Sequence, residues 1–235
     1  MKILYGLLCL LLVSPVVAEA GISLGGTRLV FDGSKKETSI TVNNSDKRAW
    51  LIQSWIDSMD NTATEVPFLV TPPLFRLGQE EGNLLRIVRT TDNLPADRES
   101  MFWLNVKSIP SSERPEEGKN MLRLAIKTRI KFIYRPPALK GTPEMQAGRL
   151  TWSTDNRQIR VFNPTPFYMN FGKLTAGNRD ITPSTVWFSW VAPGATLTLP
   201  RPAGMQGNSV TWTIINDFGG TGKTFHATLQ AVRGE

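Results

Sequence analysis

The chain has almost no cysteine or histidine: Cys9 is its one thiol and His226 its one imidazole. That scarcity removes the parts for a thiol nucleophile, a His-based triad or the common zinc sites, and it leaves no disulfide framework. No cofactor or metal ligand set is expected, and no enzyme. Long apolar runs are also missing. The longest, Ile3 to Val17, spans about 15 residues, short of the roughly 20 that cross a bilayer, so no membrane insertion is expected. Lys2 before this run and Ala18-Glu19-Ala20 after it make residues 1–20 an expected cleavable export signal, with the mature chain starting at Gly21. A chain bound for a compartment that permits disulfides, yet carrying none, must be stabilised by packing alone.

The formal charge is +7. Such a balance suits acidic partners, but the bases are dispersed through alternating strands and not set among stacking aromatics, so no nucleic acid is expected. Gly219-Gly220-Thr221-Gly222-Lys223-Thr224 superficially matches a phosphate loop but lacks the spacer between glycines and the following helix. It reads as a hairpin turn. Glu80-Glu81 and Glu116-Glu117 read as solvated loop charges, not as an acid/base pair.

Period-two alternation between Gly, Pro, Asn and Asp clusters fills the chain. Runs at Ile22–Phe31, broken by Gly25-Gly26, and at Thr38–Asn43, Trp50–Ile56, Phe68–Val70, Phe75–Leu77, Leu84–Arg89 and Met101–Ile109 read as strands. Pro72-Pro73 excludes a central strand at that point. A Pro-rich stretch from Arg135 to Pro143 marks a boundary, and Leu150–Trp152, Gln158–Phe162, Phe167–Phe171, Val186–Trp190, Thr196–Leu199, Val210–Ile215 and Phe225–Ala231 repeat the style. Turn signals every 8 to 12 residues or so fit β-sandwiches. About 215 residues beyond the signal suit two of them, expected over 21–141 and 142–235.

The longest alternation, Asn120 to Tyr134, carries Leu122, Leu124, Ile126, Thr128, Ile130 and Phe132 on one face and Arg123, Lys127, Arg129 and Lys131 on the other. It follows directly on the polar loop Ser111–Lys119, so its first aliphatic residues either face their own core or present spare apolar surface to a partner. Pattern alone favours the core.

Several motifs, taken in order, resemble those of the periplasmic pilus-assembly chaperones. They are Thr27-Arg28, Thr71-Pro72-Pro73-Leu74-Phe75-Arg76-Leu77, the run Leu94–Ser111, Lys131-Phe132-Ile133-Tyr134-Arg135-Pro136, Asn163-Pro164-Thr165-Pro166 and Ile215-Asn216-Asp217-Phe218-Gly219-Gly220. The resemblance implies two immunoglobulin-like domains in an L shape, located in the periplasm. It implies a chaperone that binds, folds and caps fimbrial subunits by donor-strand complementation and delivers them to an outer-membrane usher.

Residue by residue, Leu122, Leu124 and Ile126 match the strand lent to the subunit. Arg28 and Lys131 match the bases that hold the subunit's C-terminal carboxylate, and both are expected to stand exposed in the free cleft. Glu99, Arg135 and Asp217 match a buried charge network between the domains. The connection Pro110–Asn120 is short and free of cysteine, which resembles the short-loop class of these chaperones. An edge strand with spare apolar surface also invites self-capping by a second copy. The competing reading is a fimbrial structural subunit or adhesin, for which a single incomplete domain with a disulfide would be expected.

Overall fold

The computed structural model describes residues 21–60, 65–111, 124–183 and 189–231. The expected signal, most of the Pro110–Asn120 connection and Leu122 lie outside them.

Gly25-Gly26 does break the first run, and the break separates two sheets. β1 (Ile22–Leu24) pairs with β3 (Glu37–Asn44), while β2 (Arg28–Asp32) crosses to the opposite sheet. The first sheet continues through β7 (Gly82–Arg89) to β5 (Phe68–Thr71), an edge strand that the following prolines end. The second sheet runs β2, β9 (Ile126–Arg135), β8 (Ser100–Pro110), β4 (Trp50–Ser58) and β6 (Leu74–Leu77). Between the sheets Phe68 lies edge-on to Phe132 at 4.7 Å and to Phe102 at 5.2 Å, with Phe31 and Tyr134 closing the cluster. Edge-to-face rings of this kind stabilise by about 0.5–1.5 kcal/mol per pair beyond the area they bury.

After a four-residue helix α1 (Pro143–Gln146) the second sandwich begins. One sheet holds β15 (Thr196–Pro200), β11 (Gln158–Phe162), β10 (Thr151–Thr154) and β18 (Gln230–Ala231). The other holds β13 (Arg179–Asp180), β12 (Met169–Ala176), β16 (Ser209–Ile215) and β17 (Thr221–Thr228), with β14 (Trp190–Val191) also on β12. Trp152 and Trp212, 5.1 Å apart, centre a core separate from the first. The glycine-rich run does contain a turn, Asn216–Gly220, but Thr221 to Thr224 already belong to β17, so the hairpin reading covers only its first part. Both units are immunoglobulin-like sandwiches, and the described residues are all-β apart from α1 and a short 3₁₀ turn.

The strand β9 is central to β8 on one side along its whole length, from Ser100↔Tyr134 to Ser108↔Ile126. On the other side β2 runs parallel to it only from Arg28↔Lys131 to Asp32↔Arg135. Ahead of Lys131, β9 is therefore a sheet edge among the described residues.

Candidate functional site

Along β9 the burial changes in three steps. Ile126, Lys127 and Thr128 are exposed on both faces; Ile130, Phe132 and Tyr134 enter the aromatic core; Lys131 and Ile133, on the opposite face, are buried as well. Ile126 points to the same side as the core residues Ile130 and Phe132, yet it is 58% exposed, and Leu124 just before the strand is 64% exposed. The opposing sheet does not reach that far. Spare apolar surface beside a free hydrogen-bonding edge is thus present at two of the three expected donor residues, and Leu122 lies outside the described part.

At the point where β2 closes the edge, Arg28 and Lys131 stand directly opposite each other in the parallel register. Lys131 is not the exposed base the sequence suggests: it is 7% exposed. The second sandwich covers it. Its Nζ donates to Asn170 Oδ1 at 2.6 Å and to Ser189 Oγ at 3.4 Å. Burial, with Arg28 alongside, brings the ammonium down to about 7. Arg28 is half-buried and donates from one terminal nitrogen to the Ile215 carbonyl at 3.2 Å. Its Nε is buried without an acceptor among the described residues. Burial lowers the pKa of Arg28, and the charges of Asp217 and Glu144 oppose that. Two neighbouring bases, with donors to spare and no carboxylate in direct contact among the described residues, suit an anion.

Glu99, Arg135 and Asp217 come together as expected. Arg135 donates from Nε to Glu99 Oε1 at 2.7 Å and from its two terminal nitrogens to both Asp217 oxygens at 2.7 and 2.9 Å. The second Glu99 oxygen accepts the Tyr168 backbone N–H at 2.7 Å, and the Glu99 N–H donates to the Pro166 carbonyl at 2.9 Å. Burial raises the pKa of Glu99, with Arg135 and the Tyr168 N–H opposing it. The network ties β9 and the approach to β8 to the turn after β16 and the approach to β12. It therefore fixes how the sandwiches meet.

Residues 21–140 match the N-terminal domain of the pili and flagellar-assembly chaperone PapD, and residues 145–226 match the PapD C-terminal pili assembly chaperone domain. The chain belongs to the PapD family of pilus-assembly chaperones. Its relatives include the chaperone protein LpfB of Salmonella typhimurium, 43% identical over 221 residues that cover 91% of this chain and 93% of that one. The probable fimbrial chaperone LpfB of Escherichia coli O157:H7 is 42% identical and covered to 89% on both sides. Among solved structures, the complex of the Salmonella enterica SafA pilin with the SafB chaperone matches at a TM-score of 0.81 and 37% identity, covering 91% of this chain and 99% of the matched one.

This family is one of non-enzymatic fimbrial assembly chaperones, and it works in the periplasm. The structural-subunit reading gives way to it. Among the described residues no helix is long and apolar enough to cross a membrane.

Sequence reasoning missed the partners that the chaperone's second domain brings to Lys131. Asn170, 2% exposed, sits between Met169 and Phe171 in an otherwise buried run of β12. A polar residue inside such a run was the available signal, since a buried amide needs a partner. Asp57 was missed too. It faces Arg129 Nη2 at 3.5 Å, beside the 2.9 Å bond from Arg129 Nε to Asn105 Oδ1.

Proposed function

We propose that this chaperone lends β9 to an incomplete fimbrial subunit in the periplasm, caps it until assembly, and passes it to an outer-membrane usher. The open edge ahead of Lys131 offers unpaired N–H and C=O groups to an added strand. Leu122, Leu124 and Ile126 fill the subunit's groove; a buried Leu or Ile stabilises by roughly 1.5–3 kcal/mol before ordering costs. Arg28 and Lys131 hold the subunit's terminal carboxylate, and the Glu99–Arg135–Asp217 network keeps the cleft at its working angle. The working domains are 21–141 and 142–235, with 1–20 removed on export. Without a client, a second copy can cap the same edge.

The observation that carries this reading is the meeting of two bases, Arg28 and Lys131, with the end of an open sheet edge. Its test is recovery of subunits with tagged chaperone from periplasm, identified by mass spectrometry. Arg28→Ala and Lys131→Met are expected to abolish recovery while far-UV circular dichroism stays unchanged. Undiminished recovery by both variants would overturn the anchor.

A further inference from the structure

Lys107 and Lys127 are direct cross-strand partners on β8 and β9, on the outer face of the sheet. Like charges directly opposite each other destabilise a sheet. On the neighbouring rung the same problem is solved internally: Arg129 lies opposite Asn105 and has Asp57 for a counter-ion. At Lys107 and Lys127 no carboxylate among the described residues closes the rung. Neither ammonium has an ion pair or hydrogen bond among the described residues, and Lys127 lies over the Trp55 ring at 5.9 Å. Across β4 the rung continues to Gln53, which is neutral. It therefore reads Gln53, Lys107, Lys127 and then the open edge, because β2 begins only opposite Lys131.

We infer that the Lys107–Lys127 rung is a specificity element that selects subunits carrying Asp or Glu on the outward face of their last strand. The inference rests on the capping function proposed above. A strand whose C-terminus lies at Arg28 and Lys131, on the part of β9 that precedes Lys131, must run parallel to β9. At about 3.3 Å per residue, the position beside Lys127 falls roughly two to four residues before that terminus. A side chain there shares the face of the lysines whenever it is cross-strand to Lys127, since paired residues of neighbouring strands point the same way. A carboxylate at that place meets two ammonium groups and relieves their repulsion. A lysine there adds a third charge. The aliphatic residues of β9, on the other face, accept any well-shaped apolar groove, so this rung discriminates among subunits that the donor residues alone would not.

The probes are synthetic peptides of alternating valine and threonine with a free carboxyl terminus and Glu, Gln or Lys at each of the last few outward positions, together with their amidated forms. Binding to the intact chaperone is followed by titration calorimetry. At one position, the Glu peptide should bind about two- to fivefold tighter than the Gln peptide, and the Lys peptide weaker. The Glu–Gln gap should vanish in Lys127→Gln, reverse toward Lys in Lys127→Glu, and shrink at high salt. Equal affinity for Glu, Gln and Lys peptides, with free-acid peptides still bound better than amides, overturns this inference and leaves the capping function standing. Failure of every peptide to bind, acid or amide, overturns both.

Discussion

Lys131 and Asn170 join the two sandwiches through a 2.6 Å hydrogen bond, and both side chains are buried. The Lys131 amine is thus already engaged by the second domain. Under the proposed anchor, a carboxylate entering beside Arg28 would have to share it with, or take it from, the Asn170 amide. A neutral amine has less to offer that carboxylate than an ammonium, so the protonation of Lys131 and client binding should be linked.

The linkage has a definite sign. Among the described residues the groups around the Lys131 amine are Arg28 on β2, Trp103 across on β8, Asn170 on β12 and Ser189 before β14, and none is an acid. Burial and Arg28 lower its pKa from 10.5 to about 7, so between those values the unfolded chain binds the proton and the folded one does not. The contribution of this residue to stability therefore rises with pH across that window. Lys131→Met should be more stable than the parent by about 1–2 kcal/mol at pH 6, with the gap closing toward pH 10. Urea denaturation at the two pH values checks this.

Client capture should show the same proton from the other side. A bound carboxylate favours the ammonium, so complex formation at pH 8 should take up a proton, and affinity should fall as pH rises above about 7. Calorimetry in buffers of different ionisation enthalpy measures the uptake directly; no buffer dependence would separate Lys131 from the carboxylate.

Ile126→Glu should leave the free protein within about 0.5 kcal/mol of its original stability, because the side chain is already 58% exposed. Subunit recovery should drop at least tenfold, since a carboxylate would have to enter an apolar groove unpaired. Parallel denaturation and pull-down measurements separate this from a core role, which would cost folding as well.

Glu99→Gln should destabilise by about 2–3 kcal/mol, because it removes the charge from a buried contact to Arg135. Asp217→Asn, at a partly exposed position, should cost less, about 1 kcal/mol. Loss of the link between the sandwiches would also appear in Glu99→Gln as unfolding in separate steps, detectable by calorimetry.

Strand alternation and turn chemistry revealed most of the architecture. The runs at Trp50 and Met101 became β4 and β8 with small shifts at their ends, and the run at Gln158 became β11 with the same ends, because half-buried strands with polar outer faces carry a period-two signal. The partners of Lys131 were not legible. A Lys in an alternating strand reads as a solvated base, and only the arrival of β12 from a distant part of the chain turns it into a buried one. Likewise Asn120–Tyr134 reads as one uninterrupted strand, whereas Leu124 and Ala125 lie outside β9. Alternation reports which face a residue takes, not how far the neighbouring strands extend. That extent depends on β2 beginning at Arg28, far away in sequence.

Arg28 and the chain leading into it occupy the sheet position next to Lys131, so the open edge is a blind alley. A client strand running up it can finish there but cannot continue. If Arg28 and Lys131 hold a client's carboxylate as proposed, a client lengthened by a carboxyl-terminal tag should be turned away. On that proposal the chaperone would read whether a polypeptide is complete.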